Sequence, residues 1–365
     1  NRFAMIDWQL NKPDYVVYLP PEGGCRQVNE HFHVLESPVS GDYLAFWTQE
    51  SFEGSDDMHV AFCRSSDGGL TWTAPTIFQG SPKRGSGIPN AIWQLPFFSA
   101  SGRLYCLWNE RPAPGPGQGV GYMKGAFSDD DGRTWSSPET LWQPRRWCGW
   151  QRPLRLAEGR RFLTAVSISE ENDAKTFFMR IDNADDDPPV RDLAITLSMD
   201  GTETLDGEEA SVVKLPDGRL FAVMRSRFGH PLWSQSPDGG MNWSRSIPLV
   251  DASGNVVSHP RAPCPIYDIL GDAAGSGRYF ALFTDAFDPS RDQWEGRGPL
   301  HIYRGAFDPS GNQPVAFEKG EVLLRRSGET HYGNSCYSSY TFRDGEGVLW
   351  FPDEKRYLLG RRILG

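Results

Sequence analysis

Ser65-Ser66-Asp67-Gly68-Gly69-Leu70-Thr71-Trp72 has two close copies downstream, Ser128–Trp135 (SDDDGRTW) and Ser236–Trp243 (SPDGGMNW). All three read Ser-x-Asp-x-Gly-x-Thr/Asn-Trp. The residue types suit a tight β-hairpin turn. Asp and Ser side chains accept from nearby backbone amides, Gly permits positive φ, and the Trp packs back across the hairpin. A turn copied several times marks one supersecondary unit repeated along the chain. The octets start at 65, 128 and 236, so the second interval is close to two units. The unit around 160–200 is expected to lack its octet.

Working outward, strand signals dominate. The apolar or β-branched runs Tyr15–Leu19, Tyr43–Trp47, His59–Cys63, Arg103–Trp108, Ser211–Leu215, Leu220–Met224, Tyr279–Phe283 and Gly347–Phe351 are bounded by Gly, Pro, Asp or Ser turns. Asp217-Gly218 sits between two such runs as a hairpin turn. No long segment carries a 3.6-residue apolar stripe. The spacing divides 365 residues into about six units of four strands. The expectation is an all-β chain, a six-bladed β-propeller of four-stranded antiparallel blades, with residues 1–365 as one domain. The Pro/Gly/Asp-rich stretches 111–121 and 182–192 read as surface loops.

A net charge of −10 argues against nucleic acid or an anionic membrane surface as partner. No run of about 18 apolar residues is present, so no transmembrane helix is expected. The six Cys, at 25, 63, 106, 148, 264 and 336, show no metal-like spacing. Cys63 and Cys106 lie in apolar runs and read as buried thiols. His59, His230, His259, His301 and His331 also lack ligand spacing, so neither a catalytic metal nor another cofactor is expected. The chain starts at Asn1 without an apolar leader. A removed signal peptide would imply secretion or a periplasmic location, and its absence a cytoplasmic one.

The repeated octet resembles the Asp box, or BNR repeat, of the sialidase (neuraminidase) superfamily, whose members are six-bladed propellers. Two longer stretches extend the resemblance. Glu209-Ala-Ser-Val-Val-Lys-Leu-Pro-Asp-Gly-Arg-Leu-Phe-Ala-Val-Met-Arg225 is similar to the family segment in which a Glu opens one strand and an Arg ends the next. Cys336-Tyr337-Ser338-Ser339-Tyr340, followed by Asp344-Gly345 and Val348–Phe351, is similar to the final-blade segment that carries the family's Tyr nucleophile. Arg297, ahead of Leu300–Tyr303, stands where the family places another Arg.

The resemblance implies an exo-acting, retaining glycosidase that releases terminal sialic acid, or a related acidic sugar, from a glycan. Its implied site is Tyr337 as nucleophile, Glu209 as base, and Arg225 and Arg297 on the substrate carboxylate. The chemistry is coherent. A carboxylate beside the anomeric carbon repels an anionic nucleophile, a phenol avoids that repulsion, and a neighbouring Glu can take its proton. Guanidinium groups grip a carboxylate in bidentate fashion.

Two positions depart from the family pattern. Where the first Arg is expected, the count back from Gly41 falls on His31 in Asn-Glu-His-Phe-His, and the nearest Arg is Arg26. Where the acid/base Asp is expected stands Thr48, in Trp47-Thr-Gln-Glu-Ser-Phe-Glu-Gly54. Gln49 cannot donate a catalytic proton, which leaves Glu50, Glu53 or His31 for that task; Gln49 and Arg26 are expected among the substrate-binding residues instead. Strand alternation would put His31 and His33 on one face. Each residue also has a plainer reading: Tyr337 as a core Tyr, Arg225 as an ion-pair partner, Glu50 and Glu53 as loop carboxylates, Asp57 as a loop-structuring residue. Trp93, Trp142, Trp147, Trp150 and Trp294 are candidate sugar platforms. The alternatives to a hydrolase are a polysaccharide lyase or uronate-acting enzyme on the same propeller, and a non-catalytic carbohydrate-binding propeller. A monomer or small homo-oligomer is expected.

Overall fold

The computed structural model describes residues 7–21, 27–112, 120–156, 162–170, 173–186, 193–197, 205–272, 274–285, 287–288, 290, 297–326 and 337–363. Every regular element among them is a strand. The strands form six four-stranded antiparallel blades around a centre, as the octet spacing anticipates.

Blade 1 runs outward as Val28–Glu36, Tyr43–Glu50, His59–Ser65 and Thr76–Gly80. Blade 2 is Asn90–Phe98, Leu104–Arg111, Val120–Ser128 and Glu139–Cys148. That last strand does double duty. Its first part pairs with Val120–Ser128, while Trp147 and Cys148 pair with Ile168 and Ser167 of blade 3. Leu154–Arg155 continues the same inner edge of blade 3. Phe162–Glu170 and Asp173–Ile181 follow, with Ile195–Leu197 and Leu205–Asp206 outermost. Blade 4 is Glu208–Lys214, Leu220–Arg225, Leu232–Ser236 and Ile247–Pro248. Blade 5 is Ile266–Asp268, Arg278–Phe283 and Leu300–Phe307, edged by Val315–Phe317 and Glu321–Leu324. Blade 6 takes Ser339–Arg343, Glu346–Asp353 and Tyr357–Ile363 from the end of the chain and Tyr15–Tyr18 from its start. Pairing of Tyr15 with Gly360 closes the ring.

The strands read as near-continuous apolar runs because both of their faces are buried. In Tyr43–Glu50, Leu44 and Phe46 face blade 2, whereas Tyr43, Ala45 and Trp47 face blade 6. In Leu220–Arg225, Leu220, Ala222 and Met224 face blade 3, and Phe221 and Val223 face blade 5. Period-2 alternation therefore divides each strand between two apolar interfaces. One apolar cluster fills each interface between neighbouring blades.

The three octets join the third and fourth strands of blades 1, 2 and 4, and their bonds repeat. Ser65 Oγ donates to Asp67 at 2.8 Å and accepts from Gly69 N at 2.8 Å. Asp67 accepts from Thr71 N at 2.9 Å. In the third copy Ser236 Oγ accepts from Gly240 N at 2.9 Å, and Asp238 accepts from Asn242 N at 2.9 Å. Each Trp donates to the carbonyl of its own box glycine, at 3.0, 3.2 and 3.0 Å. Each also reaches the preceding blade: Trp72 meets Trp350, Trp135 meets Phe46, and Trp243 stacks on Phe178 at 3.7 Å. The octet is thus a turn and an interblade contact at once. The turn of blade 3 beginning at Asp182 has no octet, as the spacing anticipates.

Candidate functional site

Innermost strands of blades 1, 2 and 4 share a local irregularity that builds the centre. Each carries a register shift, between Glu30 and His33, between Ile92 and Leu95, and between Glu208 and Ser211. Inside each shift lies a non-glycine residue with positive φ: His31 at 51°, Trp93 at 55° and Glu209 at 50°. Such backbone costs of order 1–3 kcal/mol and persists only where the surroundings over-determine it. At Glu209 they do. Its amide donates to Ser167 Oγ at 2.6 Å and its carbonyl accepts from Trp150 Nε1 at 2.8 Å.

The bulge also breaks the alternation expected of Asn29–His33. His31 turns onto Tyr337, with ring centroids 4.2 Å apart. His33 lines a small cavity with Gln151, Arg152, Tyr267 and Ser338. An inserted residue shifts one side of the pairing by a step, so a period-2 count across it fails.

Tyr337, just ahead of the first strand of blade 6, is buried at the centre. Its hydroxyl donates to the Glu209 carboxylate, 2.8 Å from Oε1 and 3.0 Å from Oε2. Arg225 Nη1 lies 2.7 Å from Glu209 Oε2 and 3.4 Å from the Tyr337 hydroxyl. Its Nη2 pairs with Glu208 at 3.0 Å, and Arg261 holds the other Glu208 oxygen. Arg297, also buried, donates to the Arg261 carbonyl at 3.0 Å. Trp150 stands edge-on to Tyr337 at 6.1 Å.

Burial raises the Glu209 carboxyl above its ordinary range, although Arg225 pulls the other way. Burial, then the Glu209 charge, pushes the Tyr337 phenol well up. The phenol therefore keeps its proton until a base takes it, and the base in contact is Glu209. Burial also raises Glu208, but Arg225 and Arg261 outweigh it and hold that carboxyl below its ordinary value.

A second set of charged groups lies near the Tyr337 ring, acidic and basic at once. Lys355 Nζ sits 5.4 Å from the Tyr337 ring centroid, 2.6 Å from Glu30 Oε2 and 3.2 Å from Glu53 Oε2. Glu30 Oε1 lies 3.4 Å from His31 Nδ1. Burial, with the Lys355 charge next, holds the His31 imidazole well below its ordinary pKa, so it is neutral at pH 7. Glu50 is buried, and its Oε2 accepts from the amides of Gly54 at 2.8 Å and Ser55 at 3.2 Å. Burial and the Glu30 charge push the Glu50 carboxyl up to about 9.

The fold thus brings Tyr337, Glu209, Arg225, Arg297 and His31 together, with Glu50 and Glu53 on the Lys355 side. Gln49 instead donates to Asn29 Oδ1 at 2.7 Å, and Thr48 donates to Gln94 at 2.9 Å. Asp57 accepts from Ser51 N at 3.0 Å, the loop-structuring role expected of it. Cys63, Cys106 and Cys148 are free thiols, and burial raises Cys63 and Cys106. Arg26, Cys25, Cys336, Trp294 and most of both Pro/Gly/Asp-rich loops lie outside the described residues. Among the described residues no group of three His, Cys, Asp or Glu could hold a metal ion, and no helix is long and apolar enough to cross a membrane.

Glu30, Glu208, Arg261 and Lys355 escaped the sequence reading. Glu30 and Glu208 adjoin residues that were singled out, which was a usable signal. Lys355 occupies a hairpin turn, where a lysine ordinarily reads as solvated.

The profile of the BNR repeat-like domain family matches residues 41–345. No curated protein sequence matches the chain. Among solved structures, the K499G mutant of NanB sialidase from Streptococcus pneumoniae superposes with a TM-score of 0.65 at 12% identity, covering 99% of this chain and 69% of that one. The intramolecular trans-sialidase from Ruminococcus gnavus gives 0.64 at 13% identity, covering 99% and 98%. A protein of unknown function from Dyadobacter fermentans gives 0.65 at 14% identity, covering 95% and 96%. At these identities the likeness is one of fold.

Proposed function

This chain belongs to the BNR repeat-like domain family, on a sialidase-type propeller, and we propose that it is a retaining glycoside hydrolase that removes a terminal acidic sugar, of the sialic acid class, from glycans. The observation that carries this reading is the Tyr337 hydroxyl held by both oxygens of Glu209. A phenol bound to a buried carboxylate of raised basicity is a nucleophile with its base in place. Arg225, Arg261, Arg297 and Lys355 place cations at the centre for an anionic sugar to meet, with Glu208, Glu209, Glu30 and Glu53 holding three of them in place.

In the proposed reaction Tyr337 Oη bonds to the anomeric carbon as its proton passes to Glu209. The glycosidic bond breaks, and the leaving oxygen takes a proton from Glu50. Water then attacks the glycosyl-tyrosine, giving its proton to Glu50, while the tyrosine oxygen recovers its own from Glu209. Glu50 is preferred to His31 as donor because it holds a proton at neutral pH and the imidazole does not. With Oε2 accepting two amides, the Glu50 proton belongs on Oε1. Arg225, committed to Glu208 and Glu209, orients the base as well as adding charge.

The deciding experiment is a fluorogenic sialoside beside a uronide panel, with wild type and Tyr337→Phe. Turnover of the sialoside that vanishes in the variant is expected. A fluorinated sialic acid should leave a covalent adduct on Tyr337. Unchanged turnover in Tyr337→Phe, or an unsaturated uronate product absorbing in the ultraviolet, would overturn the reading.

A further inference from the structure

Lys355 is held by two carboxylates of very different exposure. Its side chain is 2% exposed, that of Glu30 is 9% exposed, and that of Glu53 is 52% exposed. Glu30 is fixed in an inner strand, 2.6 Å from Nζ. Glu53 reaches the ammonium from the loop between the second and third strands of blade 1, at 3.2 Å.

That loop is pinned at its base. Glu50 Oε2 accepts from the Gly54 and Ser55 amides, and Asp57 accepts from the Ser51 amide and both serine hydroxyls. With the backbone so tied, the freedom that remains belongs to the Glu53 side chain. On the Glu53 side the pair is open to water, which screens it, and holding that long side chain in one place costs entropy. Releasing Glu53 from Lys355 is therefore cheap, whereas releasing Glu30 would strand a buried charge.

We propose that Glu53 is a stand-in for the substrate's carboxylate: it occupies Lys355 in the free protein and yields that ammonium to the incoming acidic sugar. This rests on the glycosidase reading of the site. The exchange replaces one carboxylate on Lys355 by another, so the buried ammonium never loses its counter-charge. It also makes Lys355 a cation that selects an acid over a neutral sugar. Glu53 then sets the affinity by competing within the molecule.

The test is calorimetric titration of the full chain with 2-deoxy-2,3-dehydro-N-acetylneuraminic acid and with its methyl ester. Glu53→Gln should tighten binding of the acid about threefold to tenfold and leave the ester unchanged. Lys355→Met should weaken the acid at least about tenfold with little change for the ester, and Lys355→Arg should restore much of the loss. In Glu53→Gln/Lys355→Met the gain from the Glu53 change should vanish. Acid binding that is unchanged or weaker in Glu53→Gln overturns the proposal while leaving the glycosidase reading standing, and does so even if Lys355→Met folds poorly. A wild-type protein that binds neither compound overturns both.

Discussion

Tyr337 and Glu209 lie 128 residues apart in sequence, yet the Tyr337 hydroxyl is 2.8 Å from one Glu209 oxygen and 3.0 Å from the other. The contact spans the centre from blade 6 to blade 4. It exists because Glu209 adopts positive φ within a bulge held by Ser167 of the neighbouring blade 3 and by Trp150, which leads into that blade.

Removing either partner should abolish the chemical step without unfolding the ring. Tyr337→Phe is expected to lower kcat on a sialoside at least about 10³-fold, and Glu209→Gln about 10²- to 10⁴-fold. Thermal unfolding of both variants should remain cooperative. Retained kcat in either one would remove it from the mechanism.

Leaving-group dependence isolates the proton donor. Glu50→Gln should slow a natural glycan linkage far more than an aryl sialoside, whose leaving oxygen needs no proton. In the wild type, kcat for the natural linkage should fall as pH rises through about 9, where Glu50 loses its proton. Equal slowing of both substrates by Glu50→Gln would assign the donor elsewhere.

The same proton has a stability consequence. Glu50 is raised from 4.5 to about 9, so the folded state holds the proton more tightly than the unfolded chain does. Its contribution is intact below pH 4.5 and is lost progressively as pH climbs towards about 9. Glu50→Gln should therefore stabilise the protein, by up to about 3 kcal/mol at pH 7 and by little at pH 4. Denaturant midpoints across that range would check it. A variant less stable at pH 7 than at pH 4, relative to wild type, would contradict the sign.

The Asp boxes should affect stability but not catalysis. Ser236→Ala strips the buried Gly240 amide of its acceptor and is expected to cost about 1–3 kcal/mol. Trp243→Ala, which removes the stack on Phe178, should cost about 3–5 kcal/mol. Active-site titration should show unchanged kcat per folded molecule in Ser236→Ala. A large fall in kcat at constant folded fraction would give the box a functional role.

Much of the fold was legible because its signals are local. An Asp box closes its bonds within eight residues, from Ser236 to Trp243, and needs no distant partner to be read. The paired apolar faces of Leu220–Arg225 likewise lie within one strand. The candidate residues carried in recognisable segments, Tyr337, Glu209 and Arg225, could be picked out in the same way, and the fold brings their side chains into contact. The His31–His33 face was misread because a period-2 count cannot see an inserted residue whose backbone turns to positive φ.

Sequence alone therefore determined the repeated hairpin and the number of blades, and it pointed to Tyr337 with Glu209 beside it. Only the tertiary structure decided what surrounds them. Lys355 leaves a hairpin turn of blade 6 to meet Glu30 and Glu53 of blade 1, and Arg261 joins Glu208 across blades. These pairings arise from closure of the ring, which brings six separate inner strands to one axis. Nothing in the neighbouring residues of any one strand encodes which charge it will meet there.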